Sequence, residues 1–201
     1  MKKILAFILM ISASGFSQSR FAIEADGGID LVSKTDFDAR NLENGYSFAV
    51  SPVYHVNETI SVLGVFAFHR AEGGISGSGI MPAVDGYSID NPDKPNIYAY
   101  EVAFGLRANF SDKIVKPYFS LRTGFLFTNV SHFSAPVYFS NSWYSQGWDA
   151  QHRIALFISP GLGVNFSLLK NLNFLIEARF NITTGTDYSF FPIVSGFQVG
   201  L

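Results

Sequence analysis

The chain has 201 residues, among them 21 Phe, 9 Tyr, 18 Gly and no cysteine, and its formal net charge is −2. Only 15% of it is charged, where a soluble domain carries about 25%. The charge balance excludes a basic nucleic-acid-binding face, and the absence of cysteine excludes a disulfide framework, a thiol nucleophile and a lipid anchor on an N-terminal Cys.

Lys2 and Lys3 precede an apolar run from Ile4 to Ile11, followed by Ser12, Ala13, Ser14 and Gly15. A positive end, a short apolar core and a small-residue cleavage site are the parts of a secretory signal peptide. Gly15-Phe16-Ser17 fits the small-x-small rule, so cleavage is expected before Gln18. Residues 1–17 are therefore read as a signal peptide and 18–201 as a single domain. The apolar run is far shorter than the ~20 residues of a spanning helix.

Beyond Phe21 the dominant period is two, which marks strands whose faces meet different media. The first strand, Phe21 to Val32, places Phe21, Ile23, Ala25, Ile29 and Leu31 on one face and Glu24, Asp26 and Asp30 on the other. The second, Tyr46 to Tyr54, aligns Tyr46, Phe48, Val50, Pro52 and Tyr54; the third, Ile60 to Phe68, aligns Ile60, Val62, Phe66 and Phe68. The fourth, Ile97 to Phe110, alternates Tyr98, Tyr100, Val102, Phe104, Leu106, Ala108 and Phe110 with Glu101, Gly105, Arg107 and Asn109. The fifth, Tyr118 to Thr128, sets Phe119, Leu121, Phe125 and Phe127 against Ser120, Arg122 and Gly124. The sixth, Ile154 to Phe166, opposes Leu156, Ile158, Leu162, Val164 and Phe166 to small residues. The seventh, Leu172 to Ile182, sets Phe174, Ile176, Ala178 and Phe180 against Glu177, Arg179 and Asn181. The last, Ile193 to Leu201, sets Ile193, Phe197, Val199 and Leu201 against Gln198.

Connections 55–59, 111–117 and 167–171 are short; 33–45, 69–96, 129–153 and 183–192 are long and richer in Gly, Pro, Ser and Asp. Strict alternation of short and long predicts an all-β, eight-stranded antiparallel up-and-down transmembrane β-barrel, with short periplasmic turns and long surface loops. Pro52 and Pro160 lie inside strands, where a bulge would flip the faces beyond them.

Which face meets water separates a membrane barrel from a soluble one. No lysine falls inside any of the eight strands, so the polar faces lack the density of charge that a solvated exterior carries. They hold Glu24, Asp26, Asp30, Glu101 and Glu177 with Arg107, Arg122 and Arg179. That set is expected as a paired, structural network in a narrow interior, because a buried charge needs a partner. The apolar faces as bounded carry no charge, as a lipid-facing band requires when Arg or Lys at the midplane costs about 2–4 kcal/mol. Tyr54, Phe110, Phe119, Phe166 and Phe174 are expected near the periplasmic rim, and Tyr46, Phe68, Tyr98 and Tyr100 near the outer one.

The signal peptide, the Lys116-Pro117-Tyr118 strand start, the Gly-rich Pro160-Gly161-Leu162-Gly163 and the terminal Phe197-Gln198-Val199-Gly200-Leu201 together resemble the small outer-membrane β-barrel families of the OmpA/OmpX type. The resemblance implies the outer membrane of a Gram-negative bacterium, outer-membrane lipid as surroundings and the barrel-assembly machinery as a partner in biogenesis. Those families usually end in an aromatic residue, whereas this chain ends in Leu201.

The search for chemistry gives little. An eight-stranded barrel is just wide enough to be filled by its own side chains, so a general diffusion pore is not expected. His55, His69, His132 and His152 show no H-x-x-x-H spacing, so neither a metal nor another cofactor is expected; His55, beside a turn, is expected in the headgroup zone. His132-Phe133-Ser134 is a fragment of the H-x-S-N motif of lipid A deacylases, with Ala135 in place of Asn and Asp149 as the nearest downstream acid. Nucleophilic catalysis needs the base within reach of the nucleophile, which spacing alone does not supply. The connection 129–153 is rich in aromatics, and Tyr138, Trp143, Tyr144 and Trp148 are the candidate recognition residues, since exposed Tyr and Trp are typical of binding surfaces. The reading is a non-enzymatic, porin-like envelope protein with a structural or surface-interaction role carried by its loops, toward an extracellular ligand of unidentified chemistry and not toward nucleic acid. The alternatives are a lipid A-modifying enzyme, a narrow conduit for small apolar molecules and an accessory protein of a secretion apparatus.

Overall fold

A computed structural model describes residues 20–34, 42–72, 88–89, 96–111, 113–139, 142–184 and 188–201. The expected signal peptide lies outside them. Alternating aromatic or β-branched and small or polar residues build strands because each pleated face packs against a different medium. The strands are β1 (Phe21–Lys34), β2 (Leu42–His55), β3 (Ile60–Glu72), β4 (Ser88–Ile89), β5 (Asn96–Asn109), β6 (Val115–Val130), β7 (Phe133–Phe139), β8 (Ser142–Trp148), β9 (Gln151–Leu169), β10 (Leu172–Arg179), β11 (Ile182–Thr184) and β12 (Tyr188–Gly200).

Eight antiparallel walls close into a barrel. Their order is β1, β2, β3, β5, β6, β9, the broken pair β10 and β11, and β12, which pairs back onto β1. The start of β1, the end of β12 and the short turns that follow β2, β5 and β9 share one rim, called here the near rim; the longer connections leave from the far rim. The seventh wall breaks between Arg179 and Ile182 for a backbone reason. Phe180 donates its N–H to Pro160 O at 3.0 Å, but Pro160 has no N–H to return. On the other side, the Ala178↔Ile193 and Asn181↔Phe190 pairings leave Arg179 opposite Pro192, which also cannot donate.

No bulge occurs at the in-strand prolines: the register runs unbroken through Ile23↔Pro52 and through Leu121↔Pro160. Every face assigned from the sequence beyond them therefore holds. The register shift lies instead between Leu172 and Asn173, at the near rim.

The barrel is inside out relative to a soluble domain. Phe66 is 59% exposed on its outside while Arg107 is 2% exposed within. Aromatic rings band the outside at both rims. Near the chain ends, Phe21 meets Tyr54 at 5.0 Å and Phe174 meets Phe197 at 5.3 Å; toward the far rim, Phe68 meets Tyr100 at 5.4 Å. Inside, Val32, Ala71, Ile97, Leu126, Val130, Phe157 and Phe190 form an apolar layer toward the far rim. A smaller cluster of Ala22, Ala49, Val53, Leu63, Val65 and Ala67 lines the β1–β3 side.

Several strands run further than the sequence reading, so that Lys34 falls in β1 and Lys116 in β6, against the expectation of lysine-free strands, and two of the differences shape the far rim. β3 runs on past Phe68 to Glu72, with Arg70 and Glu72 continuing its outward positions. The long connection 129–153 is not an irregular loop. Its arms keep the register of the barrel wall, from Val115↔Phe166 through Val130↔Gln151 to Phe133↔Trp148 and Phe139↔Ser142. β6–β7 and β8–β9 are thus one hairpin, whose outer nine residues per arm extend about 30 Å along the strand beyond the barrel. β4 pairs with β7 through Ser88↔Tyr138 and Ile89↔Val137, making a three-stranded sheet outside the far rim.

Candidate functional site

The eight charged residues expected inside the barrel all lie there, and they sort into two clusters of opposite sense. In the half toward the near rim, Glu177 on β10 is a hub. It accepts hydrogen bonds from the Ser120 hydroxyl, from Arg122 Nη2 at 3.0 Å and from Arg179 Nη1 at 3.4 Å, with Arg107 Nη2 at 3.9 Å. Arg107 in turn grips Glu24 with both arms of its guanidinium, at 2.7 and 2.8 Å. This fork-on-fork geometry suits a planar guanidinium facing a carboxylate. The Arg107 guanidinium carbon lies 4.4 Å from the centroid of the Tyr118 ring. Arg179 Nη2 sits 3.8 Å from Asp26.

Room for the hub comes from β9, whose inward residues at this level, Ser159, Gly161 and Gly163, are small. A Cβ on Gly161 would run into Ser120, Glu177 and Arg179, and one on Gly163 into the Tyr118 ring and Ile176 O. The large charged residues of β5, β6 and β10 therefore fit only because β9 contributes glycine opposite them.

The second cluster is nearer the far rim and was not foreseen. His69 lies between two carboxylates, with Nδ1 2.5 Å from Asp30 Oδ2 and Nε2 3.3 Å from Glu101 Oε2. All three side chains are buried, and the Phe190 ring packs at 5.2 Å from the imidazole. Strand three as bounded from the sequence stops at Phe68, four residues short of the end of β3, and so leaves His69 in a connection. Continuing the alternation to the Gly73-Gly74 pair would have turned His69 inward and Arg70 outward. Among the described residues the buried interior holds five carboxylates, Glu24, Asp26, Asp30, Glu101 and Glu177, against three guanidiniums and this one imidazole. With two flanking carboxylates, each ring nitrogen of a protonated His69 has an acceptor, so the imidazolium is the form these contacts accommodate.

His55 lies half-buried at the near-rim end of β2. It hydrogen-bonds Ser61 Oγ at 2.9 Å and Gln198 Nε2 at 3.0 Å, and Gln198 Oε1 accepts from Asn165 at 3.3 Å. This chain of polar side chains lines the near-rim mouth of the interior.

On the projecting hairpin, Trp143 and Tyr144 are 55% and 56% exposed. The side chains of Tyr138 and Trp148 lie outside the described residues, although their backbones pair with Trp143 and Phe133. His132 is exposed with its ring against Gly147, where an added Cβ would come within 3.3 Å of it. Ser134 pairs with the same Gly147 through the backbone. Among the described residues no carboxylate stands within ion-pair distance of His132, and no group of three or more His, Cys, Asp or Glu could hold a metal ion.

A closed eight-stranded antiparallel barrel, apolar outside and charged within, is the fold of the small outer-membrane β-barrels of the OmpA/OmpX type. No protein-family model matches the chain, and no curated protein matches it. Among solved structures it is similar to Neisserial surface protein A, at 18% identity over 92% of this chain and 100% of that one, with a TM-score of 0.54. It also resembles Ail, the attachment invasion locus protein of Yersinia pestis, at 14% identity over 91% and 99% of the two chains and a TM-score of 0.46. The N-terminal β-barrel domain of Pseudomonas aeruginosa OprF matches at 12% identity over 90% and 99%, with a TM-score of 0.41. At these identities the likeness defines the fold and nothing finer, and the last two superpose less well and add no weight.

Proposed function

We propose that the chain is a non-enzymatic integral protein of a Gram-negative outer membrane, in which the barrel is an anchor and the projecting hairpin is the working surface. In this reading the near rim, with both chain ends, faces the periplasm, and the far rim lies at the cell surface. Outer-membrane lipid surrounds the barrel, the barrel-assembly machinery inserts it, and an extracellular ligand or envelope partner meets the hairpin.

The observation that carries this reading is the contrast between a filled interior and an extended exterior. Charged side chains locked onto one another and an apolar layer above them leave the barrel as a packed core, as eight strands allow. The β7–β8 hairpin instead continues the wall outward and exposes Trp143 and Tyr144, and large aromatic side chains with a polar edge are typical of recognition surfaces. A deacylase-like role would need a carboxylate beside His132, and no described carboxylate forms a salt bridge with it.

The test compares cells lacking the chain with cells in which residues 133–148 are replaced by a two-residue turn. The shortened protein should still form a heat-resistant barrel and restore detergent resistance, yet fail to restore attachment of the cells to surfaces or to one another. Full restoration of attachment by the shortened protein would remove the hairpin as the carrier of function. Steady conductance of the intact barrel in a planar bilayer would favour the conduit instead.

A further inference from the structure

The outward positions of the strands are mostly apolar, and among the described residues they carry one cation. Among the described residues Arg70 is the single arginine or lysine at an outward strand position, on β3 close to the far rim. Its neighbours are set by register: Tyr46 on β2 and Tyr98 on β5 stand directly opposite it on either side. The guanidinium carbon lies 5.9 Å from the Tyr46 ring centroid and 5.8 Å from that of Tyr98. One step toward the near rim the same three strands carry the row Phe48, Phe68 and Tyr100. Arg70 thus sits directly above the aromatic band, at the level where hydrocarbon gives way to headgroups.

We propose that Arg70, walled by Tyr46 and Tyr98, binds the phosphate group of an outer-leaflet lipid. The site rests on the orientation proposed above, in which the far rim lies in the outer leaflet. Three observations support it. First, the guanidinium is only partly used: Nη1 donates to Tyr46 Oη at 3.4 Å and Nη2 to Asn96 Oδ1 at 3.2 Å, both long contacts to neutral acceptors, and a guanidinium has five N–H donors. Second, no described carboxylate forms a salt bridge with Arg70. The interior arginines Arg107, Arg122 and Arg179 each have one. Glu72, the next outward residue of β3, is exposed and acts on the Arg70 guanidinium through space without forming a salt bridge with it. Third, the lipid bilayer is the interface this face already occupies, and its headgroup phosphates are the anions available at that depth. A planar fork of donors matches a phosphate better than an ammonium does. The two phenol rings hold the fork by cation–π contact, and their hydroxyls can add donors to the same anion.

The experiment uses the full chain folded in an uncharged maltoside detergent and counts bound lipid by native mass spectrometry. The probes are lipid A carrying its phosphates, the same lipid A after phosphatase treatment, and inorganic phosphate as a competitor. The wild-type barrel should retain phosphorylated lipid A and bind the dephosphorylated lipid about tenfold more weakly or worse, the loss of one charge-assisted hydrogen-bonded contact. Arg70→Ala should bind both lipids alike, at the weaker level, and Arg70→Lys should fall between. Inorganic phosphate at the same concentration should displace neither lipid. Equal retention of both lipids by the wild-type barrel, a comparison that needs no variant to fold, would overturn the site. So would undiminished binding by Arg70→Ala, and displacement by inorganic phosphate would overturn a lipid as the source. Orientation is tested separately: the chain has no cysteine, so a Ser145→Cys variant can be labelled on intact cells with an impermeant maleimide. Labelling places the far rim outside; absence of labelling with lipid selectivity intact would overturn the orientation and leave the phosphate contact standing.

Discussion

The two charged clusters inside the barrel are electrical mirror images. Around Glu177 one carboxylate is shared by Arg122, Arg179 and, at longer range, Arg107. Around His69 one imidazole is shared by Asp30 and Glu101. Both are buried, yet each solves the same problem with the opposite sign at its centre. The lesson is that an eight-stranded barrel does not need matched ion pairs. It needs each central charge to have enough partners of the other sign, because breaking a buried pair strands what is left.

The mirror relation makes predictions that differ in direction. The largest effect is expected for Glu177→Leu, which leaves three guanidiniums crowded without their shared acceptor. Guanidinium cannot shed its charge, so the barrel should lose about 4 kcal/mol in urea unfolding from vesicles. Next comes His69→Leu, which leaves two adjacent carboxylates and should cost about 3 kcal/mol in the same assay. The comparison sharpens when an acid is then removed from each variant. Adding Asp30→Asn to His69→Leu should recover part of the loss, because it relieves repulsion between like charges. Adding Glu24→Gln to Glu177→Leu should deepen the loss, because it also strands Arg107. If both second substitutions shift stability in the same direction, the clusters are not mirror images.

Much of this was legible before any coordinates. Strict alternation in strands such as 97–110 and 118–128 fixes which residues face inward, and a tilted strand of 13 or more residues crosses a bilayer that needs about 9–11. Inward faces and their eight charges follow from parity alone. What parity cannot say is which strand stands next to which depth of its neighbour. That shear decides that Arg107 of β5 reaches Glu24 of β1 across the interior, and that Asp30 meets His69 rather than an arginine. His69 and Arg70 were lost to a strand end set by composition, although His69-Arg70-Ala71-Glu72 continues the alternation up to Gly73-Gly74. The hairpin was missed for a related reason: a long connection rich in Gly, Pro, Ser and Asp reads as a loop, while the pairing of its two arms, continued from the barrel wall, is a tertiary fact.

A smaller effect separates the packed interior from the extended hairpin. Gly161→Ala should cost about 1–3 kcal/mol, since its methyl group would press on Ser120, Glu177 and Arg179 in a core with no slack. The smallest belongs to the hairpin: Tyr144→Ala, on an exposed strand outside the far rim, should leave barrel unfolding unchanged to within about 0.5 kcal/mol. A large loss there would mean that the projecting sheet and the barrel unfold as one unit.

The measurement that tests the account most directly is gel migration of the outer-membrane fraction in detergent, with and without boiling. A closed barrel locked by its interior charges should be found in that fraction and migrate at a different apparent size until boiled. Recovery of the protein as a soluble periplasmic species, with mobility indifferent to heating, would contradict a membrane barrel and turn its apolar face into the lining of a cavity.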